Sequence, residues 1–302
     1  MNKPIRTLIT RAEAALARLE QLLPPARPPT DWSASIAFRW RKSAGRNAPG
    51  WLQPVRHVHR IKLSDLRRID RQIGVVERNT RQFLDGRPAN NVLLTGARGT
   101  GKSSIVKGLL QKYRRQGLRL LEVEKNDLVD LPEIVDRVAG RAERFIVFCD
   151  DLSFRGAEEG YIALKVALDG SISTTSENLL IYATSNRRHL MPEYMAENLE
   201  TKYMGDEIHP GETVEEKISL SERFGLWVSF YPFDQDEYLD IVAHWLKTFG
   251  CGAGEAEAAR EEALQWSLQR GSRSGRVAYQ FARDWAGRRA GGSGAGRKAR
   301  KK

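Results

Sequence analysis

The sequence predicts an α/β protein built on a five-stranded parallel sheet, and three observations lead to this prediction. Short apolar runs alternate with segments of helical periodicity between residues 92 and 231. A glycine-rich loop follows the first of these runs, and the chain after Pro232 shows helical periodicity only. Alternation of this kind is typical of parallel strands with helices on both faces, so we expect a sheet domain followed by a helical lid.

The individual elements follow from periodicity and from the glycines and prolines that separate them. The predicted strands are 92–95, 118–123, 145–149, 179–184 and 226–231. The predicted helices of the sheet domain are 102–116, 131–144, 161–168 and 214–223, and those of the lid are 235–249, 254–270 and 274–286. Two amphipathic helices are predicted before the first strand, at 5–23 and 63–84.

The positive charge of the chain is concentrated at its two ends. Lys and Arg number 49 against 38 Asp and Glu, for a net charge of +11. Residues 1–85 carry 17 basic and 7 acidic side chains, residues 288–302 carry 7 basic and none that are acidic, and residues 86–287 carry 25 basic and 31 acidic. Basic ends attract polyanions, so nucleic acid is a candidate partner, and a solvated arm and tail are the alternative.

An aromatic and basic segment strengthens the nucleic-acid interpretation of the N-terminal end. Trp40 and Trp51 stand among Arg39, Arg41, Lys42 and Arg46. Aromatic rings interleaved with cations are typical of surfaces that bind single-stranded nucleic acid. Packing of the two tryptophans onto the core is the alternative.

Composition excludes several other classes of protein. Cys149 and Cys251 are too far apart for a disulfide framework or a metal motif, which fits a reducing compartment. No apolar run approaches the roughly 18 residues of a membrane helix. The first residues lack a signal-peptide core, so we expect a cytoplasmic protein without a membrane span.

The segment from residue 96 to residue 104 is the strongest chemical signal. It matches the pattern G-x-x-x-x-G-K-[ST], and its members are Gly96, Ala97, Arg98, Gly99, Thr100, Gly101, Lys102, Ser103 and Ser104. The glycines allow backbone N–H groups to face phosphate oxygens at the start of a helix. Lys102 is expected to reach the β- and γ-phosphates of ATP, and Ser103 to ligate Mg²⁺. A glycine-rich turn with a surface lysine is the alternative.

Two carboxylates end the third predicted strand. Asp150 and Asp151 follow the apolar run 145–149. A buried strand that delivers a carboxylate beside such a loop is how these sheets hold magnesium. We therefore predict that Asp150 binds Mg²⁺ together with Ser103, and that Asp151 orients the attacking water. A turn or helix-capping role is the alternative for Asp151.

Taken together, these motifs resemble the AAA+ ATPase superfamily. The resemblance is carried by Gly96–Ser104 (Walker A), Phe145–Asp151 (Walker B), Asn186 (sensor 1), Leu220–Gly225 with Arg223 (arginine finger) and Gly271–Ala278 with Arg276 (sensor 2). The phrases Asp150–Phe154, Ile181–Leu190 and Glu216–Trp227 are similar to a bacterial branch of uncharacterised predicted AAA+ ATPases. Arg273 is the alternative to Arg276 as the lid arginine.

The resemblance covers about 60–290 and implies a nucleotide-binding domain at 61–232 and a helical lid at 233–288. Charge and composition, in contrast, predict a basic helical N-terminal region at 1–60 and a flexible basic tail at 289–302. The resemblance also implies ATP and Mg²⁺ as cofactors and a homo-oligomer. Arg223 then acts on the nucleotide of a neighbouring protomer. An ion pair inside the protomer is the alternative for Arg223, and Arg187 and Arg188 compete for its role.

Asp151 departs from the superfamily, which usually has glutamate there. Its carboxylate is one methylene shorter, and a misplacement of about 1 Å can cost on the order of a hundredfold in rate. We therefore keep three functions open. The first is an oligomeric ATPase that remodels or loads a macromolecular client. The others are a nucleic-acid-associated ATPase of the helicase-loader or transposition-helper type, and a nucleotide-gated binding module with little turnover. A small-molecule kinase would leave Arg223 and Arg276 unexplained.

Overall fold

The structure is a computed structural model that describes residues 11–13, 29–42, 49–154, 158–169, 177–187, 202–204, 207–209 and 220–295. The chain forms two compact units, residues 1–31 and residues 32–302. In the first unit residues 11–13 are helical, and the rest of the predicted helix 5–23 lies outside the described residues. The second unit carries every strand described here.

The described strands are β1 (Ala37–Lys42), β2 (Gly50–Pro54), β3 (Val92–Gly96), β4 (Leu118–Glu122), β5 (Arg144–Cys149), β6 (Leu179–Ser185), β7 (Lys202–Met204), β8 (Glu207–His209) and β9 (Leu226–Phe230). Seven of them form one sheet in the order β2-β1-β4-β5-β6-β3-β9. The five strands from β4 to β9 in this order are parallel to their neighbours. β7 and β8 form a separate antiparallel pair.

The prediction of a five-stranded parallel sheet is wrong in the number of strands. β1 runs parallel to β4, and β2 pairs antiparallel to β1, so the sheet is mixed. The residues of these two strands were assigned to a helical N-terminal region. They form strands because β1 buries Phe38 and Trp40 completely, while Gly50 leaves room beneath the Trp40 ring, 1.8 Å from where a Cβ would lie.

The described helices are α1 (Asp70–Leu84), α2 (Lys102–Tyr113), α3 (Leu131–Val138), α4 (Glu159–Asp169), α5 (Gln235–Thr248), α6 (Ala253–Ala258), α7 (Arg260–Gln269) and α8 (Gly275–Ala295). Gly74 lies within α1, and nothing lies within 4 Å of the position that a Cβ would take there. Residues 289–295 of the predicted tail belong to α8, and residues 296–302 lie outside the described part. Residues 214–219 of the predicted helix 214–223 also lie outside the described part, whereas residues 220–222 are helical as predicted.

Hydrophobic residues cover both faces of the sheet, as the alternation of strands and helices predicts. Along β5, Ile146 and Phe148 face the layer formed by α1, α2 and the lid helices. Phe145 and Val147 face the layer formed by α3 and α4. Because the side chains of a strand alternate between faces, a continuous apolar run is needed where both faces are buried. Among the described residues, no helix is both long and apolar enough to cross a membrane.

The sheet order places three polar strand ends side by side. β3 lies between β6 and β9, with Thr95 opposite Ser185 of β6 and Ser229 of β9. β5 pairs with β6 on the other side. Since these strands are parallel, the loop after β3 and the residues after β5 and β6 emerge at the same edge. In open parallel sheets this edge is where ligands bind.

Candidate nucleotide-binding site

The loop between β3 and α2 is held open by three glycines with left-handed backbone angles. Gly96, Gly99 and Gly101 have φ values of 124°, 74° and 103°. A Cβ at Gly96 would lie 1.9 Å from the carbonyl oxygen of Phe230, so the loop can pass this strand only with glycine. The loop conformation follows from the sequence, because a side chain at these angles is strained.

Lys102, the first residue of α2, folds back over the loop. Its Nζ donates hydrogen bonds to the carbonyl oxygens of Gly96 and Ala97, at 2.8 and 2.7 Å, and to Oδ1 of Asn186 at 3.0 Å. Burial lowers the pKa of Lys102 to about 8, although the carboxylates of Asp151 and Asp150 oppose this shift. The amine is therefore a desolvated cation at the centre of the loop.

Asp150 connects the loop to β6. Its Oδ1 accepts a hydrogen bond from Ser103 Oγ at 2.5 Å and another from Thr184 Oγ1 at 2.7 Å. The sequence prediction paired Ser103 with Asp150 as magnesium ligands, and the structure brings the two oxygens together. A hydroxyl and a carboxylate are the hard oxygen donors that Mg²⁺ prefers, so this pair fits the ion.

Thr184 is a residue that the sequence interpretation missed. Its side chain is 2% exposed, and its Oγ1 accepts a hydrogen bond from the backbone N–H of Asp151 at 2.9 Å while donating to Asp150. Asp151 has a φ of 53°, which is unusual for a residue with a side chain. The sequence alone does not single out Thr184, because two hydroxyl residues, Thr184 and Ser185, follow one another at the end of β6.

Asp151 and Asn186 complete the network. Asn186 Nδ2 donates a short hydrogen bond to Oδ1 of Asp151, and its own Oδ1 accepts from Lys102. Asn186 therefore bridges the lysine of the loop and the carboxylate predicted to orient water. The lysine and this carboxylate therefore meet through one amide side chain.

The lid contacts the loop directly. The backbone N–H of Arg276, near the start of α8, donates to the carbonyl oxygen of Gly99 at 3.3 Å. A Cβ on Gly99 would lie 2.8 Å from Ser274 Oγ, so the loop glycine also allows this close approach. Arg276 lines the cavity described next, and Arg273 is an exposed residue that is not among the described lining residues.

A cavity of about 930 Å³ lies between the loop, the segment 59–69 and the lid. Its size is near the upper end of the usual range for ligand pockets. The predicted site residues that line it are Arg98, Gly99, Thr100, Gly101, Lys102, Ser103, Ser104, Asp150, Asp151, Asn186 and Arg276. Ile69, Ile241, Trp245 and Tyr279 give it an apolar side. Groups that can donate hydrogen bonds to phosphate line one end of the cavity, and apolar side chains line another. This arrangement suits a nucleotide.

Arg223 does not line this cavity. Its Nε donates to Oδ1 of Asp169 at 2.5 Å, and its side chain is 26% exposed. The protomer therefore holds Arg223 in an ion pair, which was the alternative left open by the sequence. Arg187 is exposed, and Arg188 lies outside the described residues.

The aromatic and basic segment of β1 is not a free nucleic-acid surface. Trp40 is fully buried and donates from Nε1 to Asp130 at 3.0 Å. Each cation has an acidic partner: Arg39 pairs with Glu122, Arg41 with Glu124, and Lys42 with Asp130. The core-packing alternative holds for Trp40, whereas Arg46 lies outside the described residues.

Fold and site define an α/β protein of the P-loop class. The chain belongs to the family described as protein of unknown function DUF815, whose model matches residues 33–289. No curated protein matches the chain in sequence. The bacterial AAA+ branch suggested by the sequence stays a prediction.

Three solved structures illustrate the likeness in fold. They are the Thermotoga maritima RuvB Holliday junction branch migration motor (14% identity, TM-score 0.43, 74% of this chain and 61% of that one), the E. coli MS115-1 HORMA:CdnC:Trip13 complex (11%, 0.45, 73% and 89%) and Aeropyrum pernix ORC1 in complex with DNA (14%, 0.41, 72% and 65%). The chain spans 60% to 64% of the RuvB chains it matches. At these identities and TM-scores the likeness assigns no role to the chain.

Proposed function

We propose that the protein binds Mg·ATP in this cavity and hydrolyses it, and that an oligomer couples this step to work on a macromolecular client. The single observation that carries the proposal is the hydrogen-bonded network of Lys102, Asn186 and Asp151, beside the Ser103–Asp150 pair. A lysine, a hydroxyl and two carboxylates at adjacent strand ends are the parts that phosphoryl transfer to water requires.

Each of these site residues has a defined role in the proposal. The loop N–H groups and Lys102 bind the β- and γ-phosphates, and Lys102 exchanges its bonds to the Gly96 and Ala97 carbonyls for phosphate oxygens. Ser103 and Asp150 would hold Mg²⁺, which supplies positive charge that stabilises the transferring phosphoryl group. Asp151 orients the attacking water, and Asn186 fixes the position of that carboxylate.

Slow hydrolysis, or nucleotide-gated binding with little turnover, is the second candidate. Asp151 is one methylene shorter than glutamate, and its carboxylate is already engaged by Asn186. A shorter carboxylate held away from the γ-phosphate would position water poorly. The variant Asp151→Glu distinguishes the two candidates, because it should raise turnover if reach is limiting.

Arg223 supports an oligomer in which the site is shared between protomers. Its ion pair with Asp169 is partly exposed, and pairs of that kind contribute about 0–1 kcal/mol. In the proposed oligomer, Arg223 would exchange this pair for the γ-phosphate of a neighbouring protomer. A helicase-loader or transposition-helper role is a further proposal. It rests on the basic ends of the chain, because the described basic residues of β1 are already paired with acidic residues.

Calorimetric titration of the magnesium-saturated protein with ADP and with ATP tests the proposal. We expect saturable heat for both nucleotides, and its loss in Lys102→Ala. As a matched control, Lys62→Ala removes a cation outside the cavity and should bind normally. Absence of binding to the folded wild-type protein would remove the proposed function.

A further inference from the structure

The segment 59–69 lies along α2 in the opposite direction to the helix. The carbonyl oxygen of His59 accepts a hydrogen bond from Gln111 Nε2 at 3.4 Å, near the carboxyl end of α2. Leu63 packs against Gly108, about one helical turn before Gln111. A Cβ on Gly108 would lie 2.7 Å from the Leu63 side chain. The segment therefore forms a wall of the cavity that follows the helix away from the phosphate loop.

Arg60 and Lys107 both line the cavity, one from each of these two elements. Lys107 follows Ser103 by four residues, so the two side chains lie on the same side of α2, about 6 Å apart along its axis. Arg60 follows His59, whose carbonyl oxygen is bonded to Gln111, and Gln111 lies one helical turn after Lys107. The contacts of His59 and Leu63 with α2 therefore bring together the two backbone segments that carry these cations, beyond the phosphate loop.

Neither cation has a counter-charge within the part of the chain that the structure describes. Lys107 is half-buried, and Arg60 is exposed on the cavity wall. The acids that line the cavity are Asp65, which faces His244 at 3.6 Å, and Asp150 and Asp151, which are bonded to the loop and to Asn186. Like charges that share a cavity repel one another, and a bound anion relieves this repulsion.

We propose that Arg60 and Lys107 form a second anion subsite, which binds a phosphate group carried on the ribose of the nucleotide. Besides ATP, the site would then accept 5′-phosphorylated nucleosides that carry a further 2′- or 3′-phosphate. The sugar is attached to the 5′-phosphates, which the amino end of α2 would hold, and Lys107 lines the cavity about one turn further along the same helix. The subsite rests on the proposed function, because the phosphate loop must hold the 5′-phosphates.

Calorimetry at constant ionic strength tests the subsite with matched probes. AMP is compared with adenosine 3′,5′-bisphosphate and adenosine 2′,5′-bisphosphate, and ADP reports on the phosphate loop. We expect one bisphosphate to bind about tenfold more tightly than AMP, as for a charge-assisted hydrogen bond. Arg60→Ala and Lys107→Met should each remove this gain while ADP still binds.

Two control variants keep the test decisive. Lys62→Met removes a cation of the same segment that does not line the cavity, so it should retain the gain. Lys107→Arg should restore the gain, which excludes a general effect of substitution on folding.

Equal affinities for AMP and both bisphosphates would overturn the subsite, and so would a gain that persists in Lys107→Met. Stronger competition by a short single-stranded oligonucleotide than by either bisphosphate would also overturn it, in favour of a nucleic-acid phosphate. Failure of ADP itself to bind the wild-type protein would instead overturn the proposed function.

Discussion

At the scale of single residues, Thr184 organises the carboxylates on which the site depends. One hydroxyl donates to Asp150 and accepts from the backbone of Asp151, so it orients the magnesium ligand and stabilises the left-handed backbone of the next residue. Partners behind metal ligands commonly decide metal affinity as strongly as the ligands do. Thr184 is therefore a positioning residue of the proposed site.

We predict that Thr184→Val weakens the response to magnesium. Valine keeps the shape but leaves Asp150 and the Asp151 N–H without this partner, so the Mg²⁺ concentration for half-maximal ATP binding should rise about tenfold. Thr184→Ser keeps the hydroxyl and should behave like the wild type. The measurement is an ATP titration at a series of Mg²⁺ concentrations, and an unchanged magnesium midpoint in Thr184→Val would contradict the assigned role.

Lys102 makes the nucleotide affinity depend on pH. Burial lowers its pKa to about 8 in the free protein, and phosphates favour the protonated amine. ATP affinity should therefore be constant below pH 8 and fall above it, because binding then requires uptake of a proton. Lys102→Arg should show no such fall, since arginine stays protonated. Calorimetry between pH 7 and 9.5 measures this, and a flat profile for the wild type would contradict it.

These residues mark the limit of what the sequence reveals about the site. The loop from Gly96 to Ser104 and Asp150 could be assigned because each requires a particular residue type at a fixed spacing. Thr184 could not, because a threonine in a strand is ordinary and its role depends on pairing between β5 and β6. The fate of Arg223 also depended on a contact, with Asp169, that lies 54 residues away in the chain.

At the scale of elements, β1 and β2 show where local patterns mislead. Trp40 alternates with Arg39 and Arg41, which suggests an exposed basic surface as readily as a strand. What decides between them is a set of partners from distant segments, such as Glu122, 83 residues beyond Arg39. The strands β3, β4, β5, β6 and β9 were predictable because burial on both faces requires mainly apolar runs, whereas charged residues interrupt the apolar residues of β1.

Two glycine substitutions test this description of the elements and should have opposite effects. Gly50→Ala places a Cβ within the Trp40 ring, so it should destabilise the protein by about 1–3 kcal/mol through overpacking. Gly74→Ala, in the exposed interior of α1 with nothing within 4 Å, should stabilise it by about 0.4–1 kcal/mol. Denaturant unfolding of both variants measures the difference, and equal effects would contradict the packing of Trp40 against β2.

At the scale of the whole molecule, the residues predicted to be catalytic are divided between those that converge in one protomer and one that does not. Lys102, Ser103, Asp150, Asp151, Asn186 and Arg276 meet around the same cavity or its rim. Arg223 stands apart, paired with Asp169. Such a division is expected when one arginine serves a neighbouring copy, because head-to-tail contacts place the same residue at each successive site.

Mixing two inactive variants tests this division. Lys102→Ala loses its own site but keeps Arg223, and Arg223→Ala keeps its site but loses the arginine it would supply. In an equimolar mixture, random assembly places the two in productive order at about a quarter of the interfaces, so turnover should recover to about a quarter of the wild-type rate. Asp169→Ala, which removes one ion-pair partner of Arg223 and leaves the arginine in place, should retain turnover. A mixture as inactive as its components, under conditions where the proteins associate, would show that Arg223 acts only within its own protomer.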